Sequence, residues 1–159
     1  MAKGSTEKRI TEKKITEKRR IGNEGEDLAC KYLIKHGYKI VDRNFACKIG
    51  EIDIIAFKAG RAGSAEFRKK ATLCFVEVKS RNSLAYGLPC QAVSFPKQRR
   101  IILTAQAYWK RYLKGPGRFG KFAGFDIKDI MFRFDIVEIL RLPEGDYIRH
   151  LENAFSANS

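Results

Sequence analysis

The sequence predicts an α/β domain in which a central mixed β-sheet of about four to five strands is flanked by helices. Two segments rich in β-branched and apolar residues, 50–57 and 73–79, have the composition of buried strands. Two other segments, one from about Arg20 and one following Ser94, repeat apolar residues at helical spacing. Strands and helices that alternate along one chain are typical of this fold class.

The first helix is expected to run from about Arg20 and to stop at Gly37, a residue type that commonly ends helices. Glu26 lies on one flank of its apolar stripe, beside Leu33, and Glu24 lies on the other flank. Periodicity alone leaves open which of these two acids faces a site, because acids in a first helical turn also complement the helix dipole. The apolar stripe consists of Ile21, Gly25, Leu28, Ala29, Tyr32 and Leu33.

Charged residues interrupt both buried-strand patterns. The segment 73–79 ends in Glu77 and Lys79, and the segment 50–57 contains Asp53 near its start. Burying an unpaired charge is costly, so apolar strands seldom carry one. One interpretation is a structural ion pair between Glu77 and Lys79 at a solvated strand end. The other is a catalytic site.

The pairing of the two strands decides whether their acids meet. Equal strand lengths favour an antiparallel register with Phe57 opposite Leu73, which puts Asp53 opposite Glu77. Two carboxylates that face each other predict either a shared proton or a bound cation. The same register sets one pair of opposite charges face to face, Glu51 and Lys79.

Further strands are expected at residues 38–45 and 131–142, and a final short strand or turn at 147–155. The apolar pattern of the second of these changes phase between Ile136 and Val137, which predicts a bulge there. The connection formed by residues 58–71 is basic and longer than most hairpin loops.

The second helix is expected to be capped by Ser94, with Pro96 in its first turn. Cations in a first helical turn oppose the helix dipole, so the three basic residues of this turn need another reason to be present. A bound phosphate is one such reason, and plain exposure at modest cost is the other. The polar residues of this turn are Lys97, Gln98, Arg99 and Arg100.

The charge of the chain points to a polyanionic partner. The 159 residues carry a formal net charge of +14, which favours nucleic acid over anionic lipid. Residues 1–19 form a repetitive basic tail that is expected to be disordered. A single domain is expected over 20–155, followed by a frayed end at 156–159. Most of the positive charge lies on the domain rather than on the tail.

Several classes of protein are excluded by composition. No run of about 18 apolar residues is present to cross a membrane, and the N-terminus lacks a secretory signal. Two histidines and well-separated cysteines argue against a zinc site. We expect buried free thiols in a reducing cytoplasm. The four cysteines are Cys30, Cys47, Cys74 and Cys90.

Seven short motifs together resemble a known family. They read G-x-x-G-E-D-x-A (22–29), N-F (44–45), G-E-I-D-I-I-A (50–56), F-V-E-V-K-S-R (75–81), A-V-S-x-x-K-Q-R-R (92–100), R-F-D-I-V-E-I (133–139) and E-N-A-F (152–155). In order and spacing they resemble the uncharacterised bacterial YraN-like family. That family looks like a branch of the restriction-endonuclease-like nucleases, similar in pattern to archaeal Holliday-junction resolvases. The resemblance implies a restriction-endonuclease-like core.

The resemblance also implies a catalytic set. Its helix acid corresponds to Glu26, its strand acid to Asp53, and its Glu-x-Lys pair to Glu77 and Lys79; Gln98 matches a polar position on the next helix. Hydrolysis of a phosphodiester calls for a divalent cation, here Mg²⁺ with Mn²⁺ as its expected substitute. The expected metal ligands are Asp53, Glu77 and the carbonyl of Val78. Flanking phosphates are expected to contact Arg81, Lys97, Gln98, Arg99 and Arg100.

Three functions follow from these features. The first is a Mg²⁺-dependent endonuclease that acts on DNA, in preference to RNA, with branched or damaged DNA as candidate substrates. The second is a nucleic-acid-binding protein that has the fold without turnover. The third is a basic adaptor for an acidic protein, which leaves Asp53 and Glu77 unexplained. Related enzymes that cut both strands often act as homodimers, and the sequence leaves this arrangement open.

Overall fold

The computed structural model describes residues 20, 22–60, 71–81, 93–113, 121–122 and 125–156. Helix α1 covers residues 22–35, and helix α2 covers Phe95–Leu113. A short 3-10 turn at Ile127–Asp129 precedes the sixth strand. The strands are β1 Lys39–Ala46, β2 Glu51–Lys58, β3 Ala71–Arg81, β4 Lys121–Phe122, β5 Phe125–Asp126, β6 Ile130–Leu142 and β7 Gly145–Phe155.

Five strands form one mixed sheet, as predicted. Their order is β1-β2-β3-β6-β7, with β3 and β6 parallel and the other neighbours antiparallel. Parallel neighbours require a crossover connection, and α2 lies in the chain between β3 and β6. The short strands β4 and β5 pair with each other in a separate ribbon.

The two helices cover opposite faces of the sheet. Ala29 and Leu33 of α1 pack with Val76 and other residues on one face. Ile101 of α2 packs with Phe75 and other residues on the opposite face. Fully burying one such side chain contributes about 1.5–3 kcal/mol, so the central strands, buried on both sides, form the core.

The N-terminal helix agrees with the expectation from its apolar stripe. Gly25, Ala29 and Leu33 are buried, and the helix ends at residue 35. Gly37 follows with φ of +81°, a conformation that glycine adopts without steric cost. Ile21, also assigned to the stripe, lies outside the described residues.

The bulge predicted between Ile136 and Val137 is wrong. Side chains of β6 alternate regularly there, with Phe134 and Ile136 on the α2 face and Val137 and Ile139 on the α1 face. Both faces are apolar because both are covered by a helix. When both faces of a strand are buried, apolar residues follow one another without alternation. In the sequence this pattern resembles a shift in the apolar alternation.

An irregularity exists nearby, on β7. Phe134 pairs with Phe155 and Ile136 pairs with Leu151, so three residues of β7 stand opposite Asp135 alone. Such a bulge bends its strand locally. Here it brings the β7 backbone around the Asp135 side chain.

The cysteines are free thiols where the structure describes them, but they are not all buried. Cys30 and Cys74 are buried, whereas Cys47 is exposed, so the prediction is wrong for Cys47. Cys47 lies in the turn between β1 and β2, where hydrogen bonds with the Ile49 and Gly50 backbone lower the pKa of its thiol. Cys90 is outside the described ranges.

The predictions for residues 1–19, most of 58–71 and 157–159 concern positions that the described ranges do not include. Among the residues that are described, no helix has the length and apolar character needed to cross a membrane.

Candidate functional site

Asp53 lies where β2 changes the face to which its side chains point. Ile52 packs in the cluster under α2 and Ile54 in the cluster under α1, although regular alternation would put both on one face. The flanking pairs place Asn44 of β1 opposite Asp53. Asn44 has φ of +52°, which asparagine tolerates better than most residues. Both strands are therefore irregular at this point.

The predicted register of β2 and β3 is confirmed, because Phe57 pairs with Leu73. The regular ladder stops one residue short of Asp53. The Val78 backbone N–H instead donates to Asp53 Oδ2 at 2.7 Å. The carboxylate thus satisfies a main-chain donor at the point where the ladder ends.

The second predicted pairing, Glu51 opposite Lys79, is wrong. Glu51 is exposed and pairs with Ala46 of β1. Lys79 Nζ instead lies 2.6 Å from Oε1 of Glu77, two residues earlier on its own strand. The pairing fails because the β2–β3 ladder ends before it reaches these positions.

Glu77 is the buried acid of the site, with a side chain that is 3% exposed. Its Oε1 receives two ammonium groups, Lys79 at 2.6 Å and Lys97 from the first turn of α2 in a closer contact. Its Oε2 is buried and has no hydrogen-bond partner among the described residues. A buried carboxylate oxygen without a partner is costly, so it is a candidate ligand atom.

The electrostatics of Asp53 reflect the nearby acids. Burial and then the Glu77 carboxylate raise the pKa of Asp53 to about 7, against the Val78 hydrogen bond, which lowers it. The Glu26 carboxylate raises it further. Neighbouring carboxylates disfavour double ionisation, and a cation between them removes that penalty. The structure therefore brings Glu26, Asp53 and Glu77 into one electrostatic cluster.

The helix acid that faces this cluster is Glu26. Its side chain is 14% exposed, and its Oε2 lies 3.6 Å from Arg43 Nη2 without a hydrogen-bond partner in the described part of the chain. Glu24 points elsewhere and pairs with Arg141 at 2.9 Å. Asp27 is exposed and pairs with Arg43 at 2.7 Å.

Close approach of α1 to β3 brings Glu26 to the site. A Cβ atom at Gly25 would lie 2.0 Å from Ser80 Oγ, so a larger residue at this position would displace the helix or rotate the serine. Glycine at position 25 therefore permits the packing that places Glu26 beside the strand acids.

Of the residues expected to bind phosphates, two arginines are exposed, whereas Arg81 and Gln98 have partners within the chain. Arg99 and Arg100 are exposed in the first turn of α2. Arg81 Nε lies 3.4 Å from Glu138 on the neighbouring strand. Gln98 Nε2 donates to the Val93 carbonyl at 2.9 Å, so in this structure it braces the start of the helix.

Lys97 differs from the other cations of this turn, because it reaches Glu77 inside the site. The sequence assigned it to flanking phosphates, since periodicity shows only that it lies in the first turn. Its contact depends on how α2 crosses the sheet, which the sequence does not reveal.

The donor atoms of the site fit a hard divalent cation with few protein ligands. Asp53 and Glu77 offer carboxylate oxygens, and Val78 between Glu77 and Lys79 offers a main-chain carbonyl. Within the described ranges, no group of three or more His, Cys, Asp or Glu is arranged to hold a metal. Mg²⁺ often binds through one or two carboxylates and keeps several waters, so two acids suffice for it.

The sequence missed a second charged cluster, centred on Asp135 of β6. Asp135 is fully buried and accepts hydrogen bonds from Arg133, His150 and the Asn153 backbone, each at 2.9 Å. Asn153 has φ of +54° at the β7 bulge. The charge inside an apolar strand could have revealed this cluster, as it did for Glu77.

The segments that form the candidate site are also similar to segments of other proteins. The profile of the uncharacterised protein family UPF0102 matches residues 25–139. The chain belongs to this family. A UPF0102 protein of Caldanaerobacter subterraneus subsp. tengcongensis is 39% identical over 140 residues, covering 86% of this chain and 95% of that protein. UPF0102 proteins of Clostridium tetani and Myxococcus xanthus are 42% and 35% identical over 139 residues each, covering 86% and 87% of this chain and 94% and 91% of those proteins.

The candidate site lies inside the segment that defines UPF0102. Glu26, Asp53, Glu77, Lys79 and Lys97 all fall within residues 25–139. The Asp135 cluster draws some of its members, including His150, from beyond that segment. The family match therefore includes every member of the acidic site and only part of the second cluster.

Proposed function

We propose that this UPF0102 protein is a metal-dependent nuclease that hydrolyses phosphodiester bonds in DNA, with a restriction-endonuclease-like core. The observation that carries the proposal is the convergence of Asp53 and Glu77, with a buried Glu77 oxygen that has no hydrogen-bond partner among the described residues and an ammonium group from Lys79 beside the other oxygen. Carboxylates and a lysine in this arrangement suit the charge changes of phosphodiester cleavage.

Asp53, Glu77 and the Val78 carbonyl would hold Mg²⁺ or Mn²⁺. When bound, the cation supplies charge neutralisation at the phosphate and lowers the pKa of water. Lys79, already within 2.6 Å of Glu77, donates to the phosphate oxygens on which negative charge develops. Glu26 would accept a hydrogen bond from the attacking water through Oε2, which has no hydrogen-bond partner in the described part of the chain, and so orient that water. Arg99 and Arg100 bind the phosphates on either side.

Cleavage of defined DNA substrates tests the proposal. The purified protein is incubated with plasmid, flap and four-way-junction DNA in Mg²⁺ or Mn²⁺, beside Asp53→Asn and Lys79→Met. Loss of the acid or the lysine is expected to slow cleavage by about 100-fold or more. Asp27→Asn is the matched control, since Asp27 is an exposed acid next to Glu26 and should cut like the parent. The proposal fails if no substrate is cut, or if all variants cut equally.

One observation favours a second candidate, a nucleic-acid-binding protein without turnover. Glu77 already has two ammonium partners, Lys79 and Lys97, so its charge is balanced without a cation. This candidate predicts salt-sensitive binding to DNA or RNA that Asp53→Asn leaves unchanged and Arg99→Ala with Arg100→Ala weakens. Fluorescence anisotropy over a salt series separates it from the nuclease.

A further inference from the structure

Lys97 is the only member of the described acidic site that comes from α2. Its ammonium contacts Glu77 Oε1, the same oxygen that Lys79 approaches at 2.6 Å. Asp53 and Glu77 therefore face two lysines. The charges of these four side chains nearly balance one another.

A divalent cation on Asp53 and Glu77 would add two positive charges to this balanced cluster. Like charges within a few ångströms repel strongly where burial lowers the effective dielectric constant. One of the two ammonium groups must then move away from Glu77. Lys79 lies on the same strand as Glu77, only two residues away, whereas Lys97 reaches Glu77 from the separate helix α2. Lys97 is therefore the group that is expected to move.

Lys97 has a place to which it can move. It lines a cleft of about 450 Å³ together with Arg100 of α2 and Gly50 and Cys47 of the β1–β2 turn. Gly50 lets the β1–β2 turn pack closely against α2, because a Cβ atom there would lie 3.1 Å from Thr104 Oγ1. Glu51 also lines the cleft, so two cations face one acid, a balance that favours an anion such as a phosphate.

We infer that Lys97 is a counter-ion that competes with the divalent cation for Glu77. When the cation binds, Lys97 turns into the cleft and, with Arg100, binds a phosphate next to the one that is cut. The inference rests on the proposed function, since it takes Asp53 and Glu77 as the cation site. Cation binding and nucleic-acid binding then favour each other. The cation takes the place of the Lys97 ammonium at Glu77, and the displaced ammonium binds the phosphate.

Cation affinity without nucleic acid tests the first half of this inference. Free Mn²⁺ is measured by electron paramagnetic resonance during titration of the parent, Lys97→Met and Lys97→Gln. Removal of the competing ammonium is expected to tighten Mn²⁺ binding about tenfold. Lys110→Met removes the same charge from an exposed position in the last turn of α2 and should change the affinity less than twofold. Circular dichroism melts verify that each variant folds.

The outcomes separate the inference from the proposed function. Tighter Mn²⁺ binding in both Lys97 variants, abolished by adding Asp53→Asn, supports both. Equal or weaker binding in the Lys97 variants, with Asp53-dependent binding in the parent, overturns the role of Lys97 and leaves the cation site standing. Absence of Asp53-dependent Mn²⁺ binding in every variant overturns the site itself.

Nucleic-acid affinity tests the second half. Anisotropy of a short duplex with phosphorothioate linkages, which slow hydrolysis, is measured at fixed ionic strength with and without Mn²⁺. The parent should bind the duplex several-fold more tightly with Mn²⁺, and Lys97→Met should lose most of that gain. An equal gain in both proteins would overturn the movement of Lys97 to the phosphate.

Discussion

Asp135 and Glu77 are acids buried in neighbouring strands of the same sheet, and their surroundings differ. Asp135 accepts four hydrogen bonds that satisfy both of its oxygens, from Arg133, His150 and the Asn153 backbone. Glu77 has two ammonium groups on one oxygen, and its other oxygen is unpaired in the described structure. Nearly all buried polar atoms in proteins are hydrogen-bonded, so of these two acids it is Glu77 that requires an explanation.

The pKa values follow the same division. Burial alone would raise the pKa of Asp135, but the hydrogen bonds from His150 and Arg133 hold it below its usual range. Burial and the Glu77 carboxylate raise the pKa of Asp53 to about 7. The Asp135 cluster stabilises the charged form of its acid, whereas the Glu77 cluster disfavours the charged form of Asp53. Strongly perturbed acids of the second kind are characteristic of functional sites.

Buried charge serves two purposes in this domain. The Asp135 cluster joins β6, the β7 bulge and Tyr38 just before β1 through hydrogen bonds and complementary charges, and each Asp135 oxygen accepts two hydrogen bonds. The Glu77 cluster leaves two carboxylates near each other, and Glu77 Oε2 has no hydrogen-bond partner among the described residues. Removing the charge of Asp135 should therefore destabilise the fold, whereas removing the charge of Asp53 should relieve a repulsion.

The largest effect is expected at Asp135. Asp135→Asn leaves the partly buried Arg133 guanidinium beside an uncharged amide, and breaking a pair whose acid is buried costs about 3–5 kcal/mol of unfolding free energy. Because the pKa of Asp135 is lowered in the folded protein, its contribution is present above the ordinary aspartate pKa and is lost as the pH falls below it. Urea denaturation at pH 7 measures the loss.

Asp129→Asn is the control for Asp135→Asn, since Asp129 is exposed in the 3-10 turn before β6 and should change stability by less than about 0.5 kcal/mol. A loss at Asp135 as small as that of the control would mean that the network contributes nothing to folding, and the contrast with Glu77 would disappear.

The next effect is expected at Glu77. Glu77→Gln leaves the ammonium groups of Lys79 and Lys97 close together without a carboxylate between them, and we expect a loss of about 2 kcal/mol. Removing one of the two cations should relieve the repulsion, so Glu77→Gln with Lys97→Met should be more stable than Glu77→Gln alone. Thermal melts of both variants and of Lys97→Met complete the double-mutant cycle. Additive losses would show that Lys97 does not interact with Glu77 in solution.

A change of the opposite sign is expected at Asp53. Because its folded pKa is raised to about 7, Asp53 contributes stability that is fully present below its unfolded pKa and is lost as the pH rises through about 7. Asp53→Asn keeps an oxygen that can accept the Val78 N–H and removes the repulsion. It should therefore match the parent near pH 4 and exceed it by about 1–2 kcal/mol above pH 7.

Urea denaturation of the parent and of Asp53→Asn at several pH values, in the presence of a chelator, checks this prediction. A difference between the two proteins that does not change with pH would mean that Asp53 titrates normally, and the convergence of the two carboxylates would lose its main electrostatic support.

The sequence predicted what depends on local pattern. Strand alternation and equal strand lengths were sufficient to give the register of Phe57 with Leu73 and the approach of Asp53 to Glu77. The prediction of Glu51 opposite Lys79 failed because alternation assumes a continuous ladder, and β2 changes phase at Asp53.

Features that depend on tertiary geometry could not be predicted in this way. The contact of Lys97 with Glu77 is set by how α2 crosses the sheet. The enclosure of Asp135 is set by the bulge in β7, where Asn153 turns its N–H toward the acid. Both contacts join residues that lie far apart in the chain, and no spacing within either segment encodes them.

The smallest effect is expected at Tyr38, which distinguishes the clusters by what it leaves unchanged. Its hydroxyl donates to Glu152 at 2.7 Å and accepts from Arg133 Nη2 at 2.6 Å. Tyr38→Phe removes both bonds at the partly exposed side of the Asp135 cluster and should cost about 1 kcal/mol of unfolding free energy. Thermal melts measure this loss.

Because the Asp135 network has no role at the carboxylate pair, Tyr38→Phe should leave the Mn²⁺ affinity within twofold of the parent. The titration proposed for Lys97 provides that measurement. A shift in Mn²⁺ affinity as large as the one expected for Lys97→Met would show that the two charged clusters are coupled through the sheet, and that the Asp135 network helps to position the strand acids.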